Sequence, residues 1–246
     1  MIMLKQKNNN YRLLVVEGNI GAGKSTFLKI INNSLACQIV YEPHTQWQDI
    51  QGQGNLLDNF YKDTPRWAYT FQSYAFITRT LAQQKHALSN PHATQVLERS
   101  VFSDRHCFAK NLFESGTMSN LEWTLYLEWF SWFLNDHVKK PDGFIYLKTT
   151  PQTCHNRLLK RNRKEEEAVP LKYLQQLHDK HEKWLIQKED VEDYIKNVPV
   201  LTLECDKEFE DDPAQQARLM GQINNFFDVS YIQNPTKNMK SSSLPL

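Results

Sequence analysis

Cysteine is scarce in this chain, and its spacing excludes the usual metal-binding and redox motifs. The four cysteines are Cys37, Cys107, Cys154 and Cys205, and no two of them have the CxxC spacing of a zinc site or a thioredoxin-like dithiol. The pattern predicts free thiols in a reducing compartment, so we expect a cytoplasmic protein.

Long apolar runs and an excess of one charge are also missing. No segment reaches the ~18–20 consecutive apolar residues of a membrane span, and residues 1–10 resemble neither a signal peptide nor a transit peptide. The 29 basic and 28 acidic residues give a formal net charge of +1. A general nucleic-acid binder would have a basic excess, so we expect neither a membrane nor a nucleic-acid polymer as a partner.

Five short apolar runs, several of them rich in β-branched residues, are the main structural signal in the chain. They cover residues 13–17, 38–41, 94–97, 143–147 and 198–203. Such runs suit strands that are buried on both faces, and helical patterns lie between them. This alternation predicts an α/β fold with a doubly wound open sheet of five parallel strands flanked by helices.

Helices are predicted between and after these strands. Thr150-Pro151 has the pattern of an N-cap followed by proline, and Ser119 with Glu122 has the pattern of a capping box. The predicted helices cover residues 24–34, 54–62, 65–89, 103–115, 120–138, 151–161, 170–185 and 213–227.

The chain length suits one domain, which we place at residues 12–230. Residues 1–11 are largely polar, and residues 231–246 are rich in serine, lysine and proline. We therefore expect a flexible N-terminus and a disordered C-terminal tail.

A glycine-rich segment follows the first predicted strand and fits the phosphate-binding pattern G-x-x-x-x-G-K-[ST]. Its residues are Gly18, Asn19, Ile20, Gly21, Ala22, Gly23, Lys24 and Ser25, followed by Thr26. Backbone N–H groups and the helix N-terminus would bind phosphate oxygens, Lys24 would neutralise β/γ-phosphate charge, and Ser25 would reach Mg²⁺. The motif predicts binding of a nucleoside triphosphate but does not specify the fate of the γ-phosphoryl group.

Charged residues follow the second and third predicted strands. Glu42 comes after the second strand, and Glu98 and Arg99 come after the third. Ligands of open α/β sheets bind beyond the carboxyl ends of the strands, so these side chains would meet the glycine-rich segment there. Glu42 is a candidate base for an acceptor hydroxyl, Glu98 for the Mg²⁺ site and Arg99 for the transferring phosphoryl group. The alternative is that each residue merely ends its strand at the water-exposed edge.

Six segments resemble the deoxynucleoside kinases of the deoxycytidine/deoxyguanosine kinase group. The resemblance covers roughly residues 12–227, and the segments that carry it are GNIGAGKST, YEPHTQW, TFQSYAFITR, ERSVFSDRHCFAKNLFESG, TPQTCHNRLLKRNRKEEEAVPLKYL and HDKHEKWL. The resemblance implies a homodimer joined through long helices. It also implies a salvage reaction in which the γ-phosphoryl group of ATP or another nucleoside triphosphate, with Mg²⁺, is transferred to the 5′-hydroxyl of a deoxynucleoside.

The same resemblance implies roles for individual residues. Glu42 would be the general base, Arg99 would lie near it and the phosphates, and Glu98 would serve the magnesium site. The residues that would contact the nucleoside are Trp47, Phe71 and Phe108 around the base, Gln72 on the base edge, and Tyr61 and Glu166 on the 3′-hydroxyl. Phe209 would stack on the base of the phosphate donor.

Base selection is expected to depend on the neighbours of Gln72, because its amide offers both a donor and an acceptor and can pair with several bases. By resemblance, Ala75, Arg79 and Asp104 occupy the positions found in deoxycytidine kinases. An Arg79–Asp104 pair suits the amino group of cytosine and also purines. We therefore expect deoxycytidine, deoxyadenosine and deoxyguanosine to be favoured over thymidine, with no order among the three. The alternative for Arg79 and Asp104 is a purely structural ion pair.

An arginine-rich segment lies at the C-terminal end of the helix predicted at residues 151–161. Arg157 and Arg161 would share a helical face, and Arg163 would begin the following loop. Their guanidinium groups suit phosphoryl oxygens. The resemblance implies that residues of about 160–169 form a lid that closes over the phosphates, and we expect Arg161 and Arg163 to be catalytic residues. The alternative is a solvated, charged helix end.

Two other functions share some of these features. A nucleoside monophosphate kinase, such as a thymidylate kinase, would also have the phosphate loop and an arginine-rich lid, but its acceptor would not need Glu42 as a base. A regulatory ATP-binding module would leave Glu42 idle.

Overall fold

The computed structural model describes residues 11–89, 94–167 and 169–227, and a single parallel sheet organises them. The strands are β1 (Leu13–Gly18), β2 (Cys37–Val40), β3 (Thr94–Glu98), β4 (Gly143–Lys148) and β5 (Val200–Glu204). All pairings are parallel, and the order across the sheet is β2-β3-β1-β4-β5. The predicted sheet of five parallel strands is confirmed.

Helices connect consecutive strands, and one more helix follows β5. They are α1 (Lys24–Ser34), α2 (His44–Gln48), α3 (Leu56–Lys62), α4 (Thr64–Ser89), α5 (Val101–Ser103), α6 (Lys110–Glu114), α7 (Asn120–Asp136), α8 (Pro151–Arg161), α9 (Leu171–His181), α10 (Asp193–Lys196) and α11 (Pro213–Phe227). Within the described ranges, none of them has both the length and the apolar character that a membrane span requires.

The helix predicted at residues 103–115 is present, but it begins two residues earlier and its central part is π-helical. The helical segment begins at Val101, where Ser100 and Ser103 form a capping box, and its central part, Asp104–Ala109, is π-helical before α6 begins. A second π-helical segment, Glu182–Gln187, continues α9, and a short 3₁₀ turn, Lys164–Glu166, follows α8. Segments of π-helix are frequent at functional sites, and Asp104 lies at the start of the first one.

Both faces of the sheet are covered, as the continuous apolar strands predict. Leu14 and Val16 of β1 point to the face covered by α1, where they join a buried cluster that includes Phe27. Leu13 and Val15 point to the opposite face and join a cluster that includes Phe102. Successive strand residues alternate between faces, so a strand buried on both sides must be apolar throughout.

The sheet order places the ends of three strands at one crevice. After β1 the chain first forms β2 and β3 on one side of β1 and then β4 and β5 on its other side. The switch point of the sheet therefore lies at the carboxyl end of β1. Val16 pairs with Glu98 and Val40 pairs with Leu97, so β1, β2 and β3 end at similar heights. Ligands of this fold class bind at such a switch point.

Most of the two terminal segments that were predicted to be flexible or disordered lies outside the described residues. Residues 1–10 and 228–246 lie outside the described ranges, so the predicted flexible N-terminus and disordered tail stay predictions. Tyr11, the first described residue, is buried with 7% relative exposure.

Candidate active site

A cleft of about 460 Å³ lies at the carboxyl ends of β1, β2 and β3. It brings together most of the residues that the sequence predicts for the site. These are Ile20, Gly21, Gly23, Lys24, Ser25, Thr26, Glu42, Trp47, Tyr61, Phe71, Gln72, Arg79, Glu98, Arg99, Asp104, Phe108, Arg157, Arg161, Arg163, Glu166 and Phe209. Gly18, Asn19, Ala22 and Ala75 are buried behind this surface and do not line it.

The glycine-rich loop at residues 18–25 has backbone geometry that needs glycine. Gly21 and Gly23 have φ angles of 79° and 89°, which side chains of L-residues rarely tolerate. A Cβ atom on Gly23 would lie 2.7 Å from Cζ of Phe209, and one on Gly21 would lie 2.4 Å from the carbonyl oxygen of Cys154. The loop leads directly into α1, whose first N–H groups and positive dipole end favour anions.

Lys24 is folded against this loop. Its Nζ donates hydrogen bonds to the carbonyl oxygens of Asn19, at 2.8 Å, and Gly18, at 3.4 Å. Burial lowers the pKa of Lys24 to about 7, and the nearby charge of Arg99 acts in the same direction. An anion on the loop would favour the charged ammonium and raise this pKa again.

Ser25 and Glu98 are joined directly. The Ser25 hydroxyl donates to Oε1 of Glu98 over 2.7 Å, and the backbone N–H of Glu42 lies 3.4 Å from Oε2 of Glu98. Hydroxyl and carboxylate oxygens are ligands that Mg²⁺ accepts, and in kinases phosphate oxygens and waters complete its coordination. No cluster of three or more His, Cys, Asp or Glu side chains that could hold a metal alone occurs in the described ranges. The residues present therefore fit a magnesium ion that is held together with phosphates.

Glu42 is a buried carboxylate with several partners. Arg79 pairs with its Oε1 through Nη2, Arg99 Nε lies 3.3 Å from the same oxygen, and His44 Nε2 lies 3.1 Å from Oε2. Burial alone would raise the pKa of Glu42, but the charges of Arg79 and Arg99 and the hydrogen bond from His44 outweigh it and hold the pKa well below its usual range. The carboxylate is therefore ionised, as a proton acceptor must be.

The turn after β3 fixes Arg99 in an unusual conformation. Its φ angle is 62°, its Nη1 donates to the carbonyl oxygen of Gly18 over 2.7 Å, and its guanidinium lies 4.7 Å from the centre of the Phe108 ring. Glu17 supports the turn, since its Oε1 accepts a 2.6 Å hydrogen bond from the Ser100 hydroxyl. Burial raises the pKa of Glu17 to about 7. Positive φ at a non-glycine residue persists only where surrounding contacts hold it, and such strain clusters at functional sites.

Aromatic rings form one wall of the cleft. Trp47 lies edge-on to Phe71 with ring centres 5.6 Å apart, and Phe71 is stacked on Phe60 at 4.6 Å. The indole of Trp47 donates to the hydroxyl of Thr78 over 2.9 Å, which fixes the ring. The wall is aromatic and suits contacts with a planar base.

Polar groups lie beside this wall. Arg79 forms the expected ion pair with Asp104, and the same guanidinium reaches Glu42. Among the described residues, the buried atoms Oε1 of Gln72 and Oδ2 of Asp104 have no hydrogen-bond partner. Buried polar atoms are normally paired, so these two acceptors are candidates for contacts with a ligand.

The arginine-rich segment at the end of α8 faces the cleft, but its members are engaged with protein groups. Arg161 pairs with Glu166, and Arg163 Nη1 lies 3.6 Å from the same carboxylate. Arg157 donates to the carbonyl oxygen of Lys207 over 3.1 Å and lies over the ring of Phe209. The lid and the contact of Glu166 with a 3′-hydroxyl therefore stay predictions.

Tyr61 lies on the same side of the cleft as these residues. Its pKa is raised well above the usual value by burial, with the nearby Tyr173 and the charge of Glu166 adding to the effect. The phenol is therefore a neutral hydroxyl that can both donate and accept a hydrogen bond.

Several residues of the cleft were not predicted from the sequence, and three of them lie beside the predicted site residues. Tyr173 and Phe60 line the cleft, and His44 contacts Glu42 directly. The sequence signals for His44 are its position two residues after Glu42 and its place in the segment YEPHTQW. Tyr173 lies in the first turn of α9, where nothing local distinguishes it from a core aromatic.

Comparisons with known proteins agree with this geometry. Residues 14–228 match the family model described as deoxynucleoside kinase. The chain is 42% identical over 238 residues to deoxycytidine kinase 2 of Gallus gallus, covering 87% of this chain and 90% of that protein. It is 43% identical over 222 residues to a probable deoxycytidine kinase of Fowlpox virus (strain NVSL), covering 90% and 91%. It is 38% identical over 241 residues to the mitochondrial deoxyguanosine kinase of Xenopus laevis, covering 89% and 91%.

The first testable prediction concerns the glycine-rich loop at residues 18–25, the proposed phosphate loop. Gly23→Ala should abolish most of the rise in melting temperature that ATP with Mg²⁺ produces, because a Cβ there would meet the Phe209 ring and strain a left-handed backbone. Thermal unfolding with and without nucleotide measures the effect. Gly221→Ala is the matched control, since a Cβ at that position meets nothing within 4 Å. Equal stabilisation of both variants by nucleotide would contradict the assignment of the loop.

Proposed function

Because this chain belongs to the deoxynucleoside kinase family, we propose that Glu42 takes the proton from the 5′-hydroxyl of a deoxynucleoside while residues 18–25 bind the triphosphate. The protein is a deoxynucleoside kinase, a phosphotransferase of nucleotide salvage. The observation that supports the assignment of Glu42 best is a short chain of contacts that places it beside the glycine-rich loop. The backbone N–H of Glu42 lies 3.4 Å from Oε2 of Glu98, and Oε1 of Glu98 accepts a 2.7 Å hydrogen bond from the Ser25 hydroxyl of that loop.

The proposed reaction is a direct transfer. The hydroxyl oxygen forms a bond to the γ-phosphorus, the bond from that phosphorus to the β–γ bridging oxygen breaks, and its electron pair leaves with the nucleoside diphosphate. The hydroxyl proton moves to the carboxylate of Glu42. An acceptor that already carried a phosphate would need no base and would bring a negative charge towards Glu42, which disfavours a nucleoside monophosphate kinase.

Cationic side chains would balance the charge of the phosphates. We assign Lys24 to the β/γ-phosphates, Arg99 to the transferring group and the acceptor, and Arg161 and Arg163 to the lid that closes over them. A bound Mg²⁺ would neutralise phosphate charge, with Ser25 and Glu98 as its protein partners. Arg157, Thr26 and Phe209 complete the proposed donor site.

For the acceptor we propose deoxycytidine, deoxyadenosine or deoxyguanosine rather than thymidine. The unpaired acceptors Gln72 Oε1 and Asp104 Oδ2 suit bases that present an amino group. Thymine has no amino group, and its O4 atom would face the carboxylate of Asp104. Trp47, Phe71 and Phe108 would contact the base, Ala75 would support the wall from behind, and Tyr61 with Glu166 would bind the sugar.

We also propose a homodimer through α4 and α7. These helices pack together through Phe76 and Phe130, whose ring centres lie 6.0 Å apart. Their outer side exposes large apolar side chains, which are Ile77, Leu81, Leu121, Leu125, Trp129 and Trp132. Those on α7 recur at intervals of three or four residues and so lie on one helical face. Exposed apolar patches of this kind mark interaction surfaces.

The cytoplasm is the compartment that we propose. All four cysteines are free thiols, and three of them are buried. Unpaired cysteines are usual in reducing compartments.

The role of Glu42 can be tested by removing its charge. We expect Glu42→Gln to lower kcat by ~10²–10⁴-fold, since a neutral amide cannot take the hydroxyl proton. Nucleoside binding should persist, and steady-state kinetics with ATP, Mg²⁺ and deoxycytidine measure both quantities. Glu189→Gln, an exposed carboxylate outside the cleft, is the matched control. Normal turnover in Glu42→Gln would remove Glu42 from the base role.

Base selection can be tested at the ion pair. The double variant Arg79→Met, Asp104→Ala should raise the ratio of kcat/KM for thymidine over that for deoxycytidine by ~10-fold or more, because it removes the carboxylate that opposes thymine O4. Absolute rates should fall, since Arg79 also pairs with Glu42. An unchanged ratio in an enzyme that still phosphorylates deoxycytidine would refute the assignment.

The dimer can be tested on the exposed face of α7. Replacing Trp129 and Trp132 with glutamate should halve the molar mass measured by light scattering, because buried, unpaired charges oppose association. Leu159→Glu, at an exposed apolar residue of α8, is the control and should leave the mass unchanged. A dimer that survives the double substitution would place the interface elsewhere, and a monomeric parent protein would end the proposal.

A further inference from the structure

His44 occupies a special position beside the proposed base. It is the first residue of α2, its side chain lines the cleft, and its Nε2 lies 3.1 Å from Oε2 of Glu42. Its side chain is 27% exposed, whereas that of Glu42 is 5% exposed. His44 therefore lies between the buried carboxylate and the open part of the cleft.

The partners of Glu42 are distributed unequally over its two oxygens. Both guanidinium groups, from Arg79 and Arg99, are directed at Oε1. His44 is the side-chain partner that the described residues provide for Oε2. A carboxylate oxygen can accept about two hydrogen bonds, so Oε1 is saturated and Oε2 keeps one lone pair. A substrate hydroxyl can therefore hand its proton to Oε2.

The imidazole is itself fixed in place. Its ring centre lies 5.0 Å from that of Trp47 in an edge-on arrangement, and Trp47 is tied to Thr78 by its indole N–H. Nδ1 of His44 is buried and has no partner among the described residues, so no acceptor there would receive a proton from it. The acceptor that is present, Oε2 of Glu42, lies beside Nε2. This favours the tautomer in which Nε2 carries the proton and donates it to Glu42.

We infer that His44 is a positioning residue for the acceptor base. By donating from Nε2 to Oε2 of Glu42, it fixes the carboxylate so that the remaining lone pair of that oxygen faces the hydroxyl. Without it, the carboxylate could rotate about its last bond while still paired with the two arginines. The inference rests on the proposed role of Glu42 and adds a second residue to it.

A double-mutant cycle tests this inference. His44→Leu removes the donor at similar volume and should lower the single-turnover rate by ~10-fold, while the dissociation constant for deoxycytidine changes by less than about 2-fold, since only orientation is lost. His44→Gln should recover most of the rate, because its amide N–H can reach Oε2. In a Glu42→Gln background, His44→Leu should have less than about a 2-fold further effect, because the two residues act as a unit.

Gln46→Leu is the control for a substitution within the same short helix, since Gln46 is exposed and does not line the cleft. A normal rate in His44→Leu would overturn the inference, and so would an equal fall in both Glu42 backgrounds or a rate loss accompanied by lost nucleoside binding. If Glu42→Gln alone keeps the full rate, the proposed base is wrong. That result differs from a failure of His44 alone, in which Glu42→Gln is slow and His44→Leu is not.

Discussion

The burial of one ionised carboxylate, that of Glu42, constrains the whole site. Removing a carboxylate from water costs several kcal/mol unless charged partners and hydrogen bonds offset it. Here the partners come from separate parts of the chain, since Arg79 lies on α4 and Arg99 follows β3. The sheet order must therefore bring the ends of β2 and β3 together, and α4 must cross above them. Arg99 in turn reaches Gly18, which connects the carboxylate to the phosphate loop.

Burial also shifts the pKa values of Lys24 and Glu17, whose neighbours offset the loss of water less completely than those of Glu42 do. The pKa values of Lys24 and Glu17 both move to about 7, the lysine downward and the glutamate upward, because burial disfavours the charged form of each. A triphosphate on the loop would reverse the shift of Lys24. If residues 18–25 bind the donor as proposed, its binding would be linked to proton uptake by Lys24.

Local sequence patterns predict the framework well but not the contacts between distant elements. The predicted boundaries of α1 and α8 match the structure, and Thr150 caps α8 as its sequence indicates. These features depend on a few neighbouring residues. The π-helical segment Asp104–Ala109 and the short helix α2 could not be read in this way, because their form depends on packing against α4 and the cleft. The pairing of Glu166 with two arginines and the contact of His44 with Glu42 are set by three-dimensional placement, which spacing along the chain does not show.

Base recognition and acceptor chemistry share one side chain. Arg79 pairs with Asp104, which lies beside the proposed base edge, and with Glu42, the proposed proton acceptor. A base that disturbed Asp104 would therefore also shift the guanidinium that keeps Glu42 ionised. The penalty for a wrong base would then appear in the chemical step as well as in binding. Discrimination of this kind acts on the transition state, which is the quantity that determines kcat/KM for competing substrates.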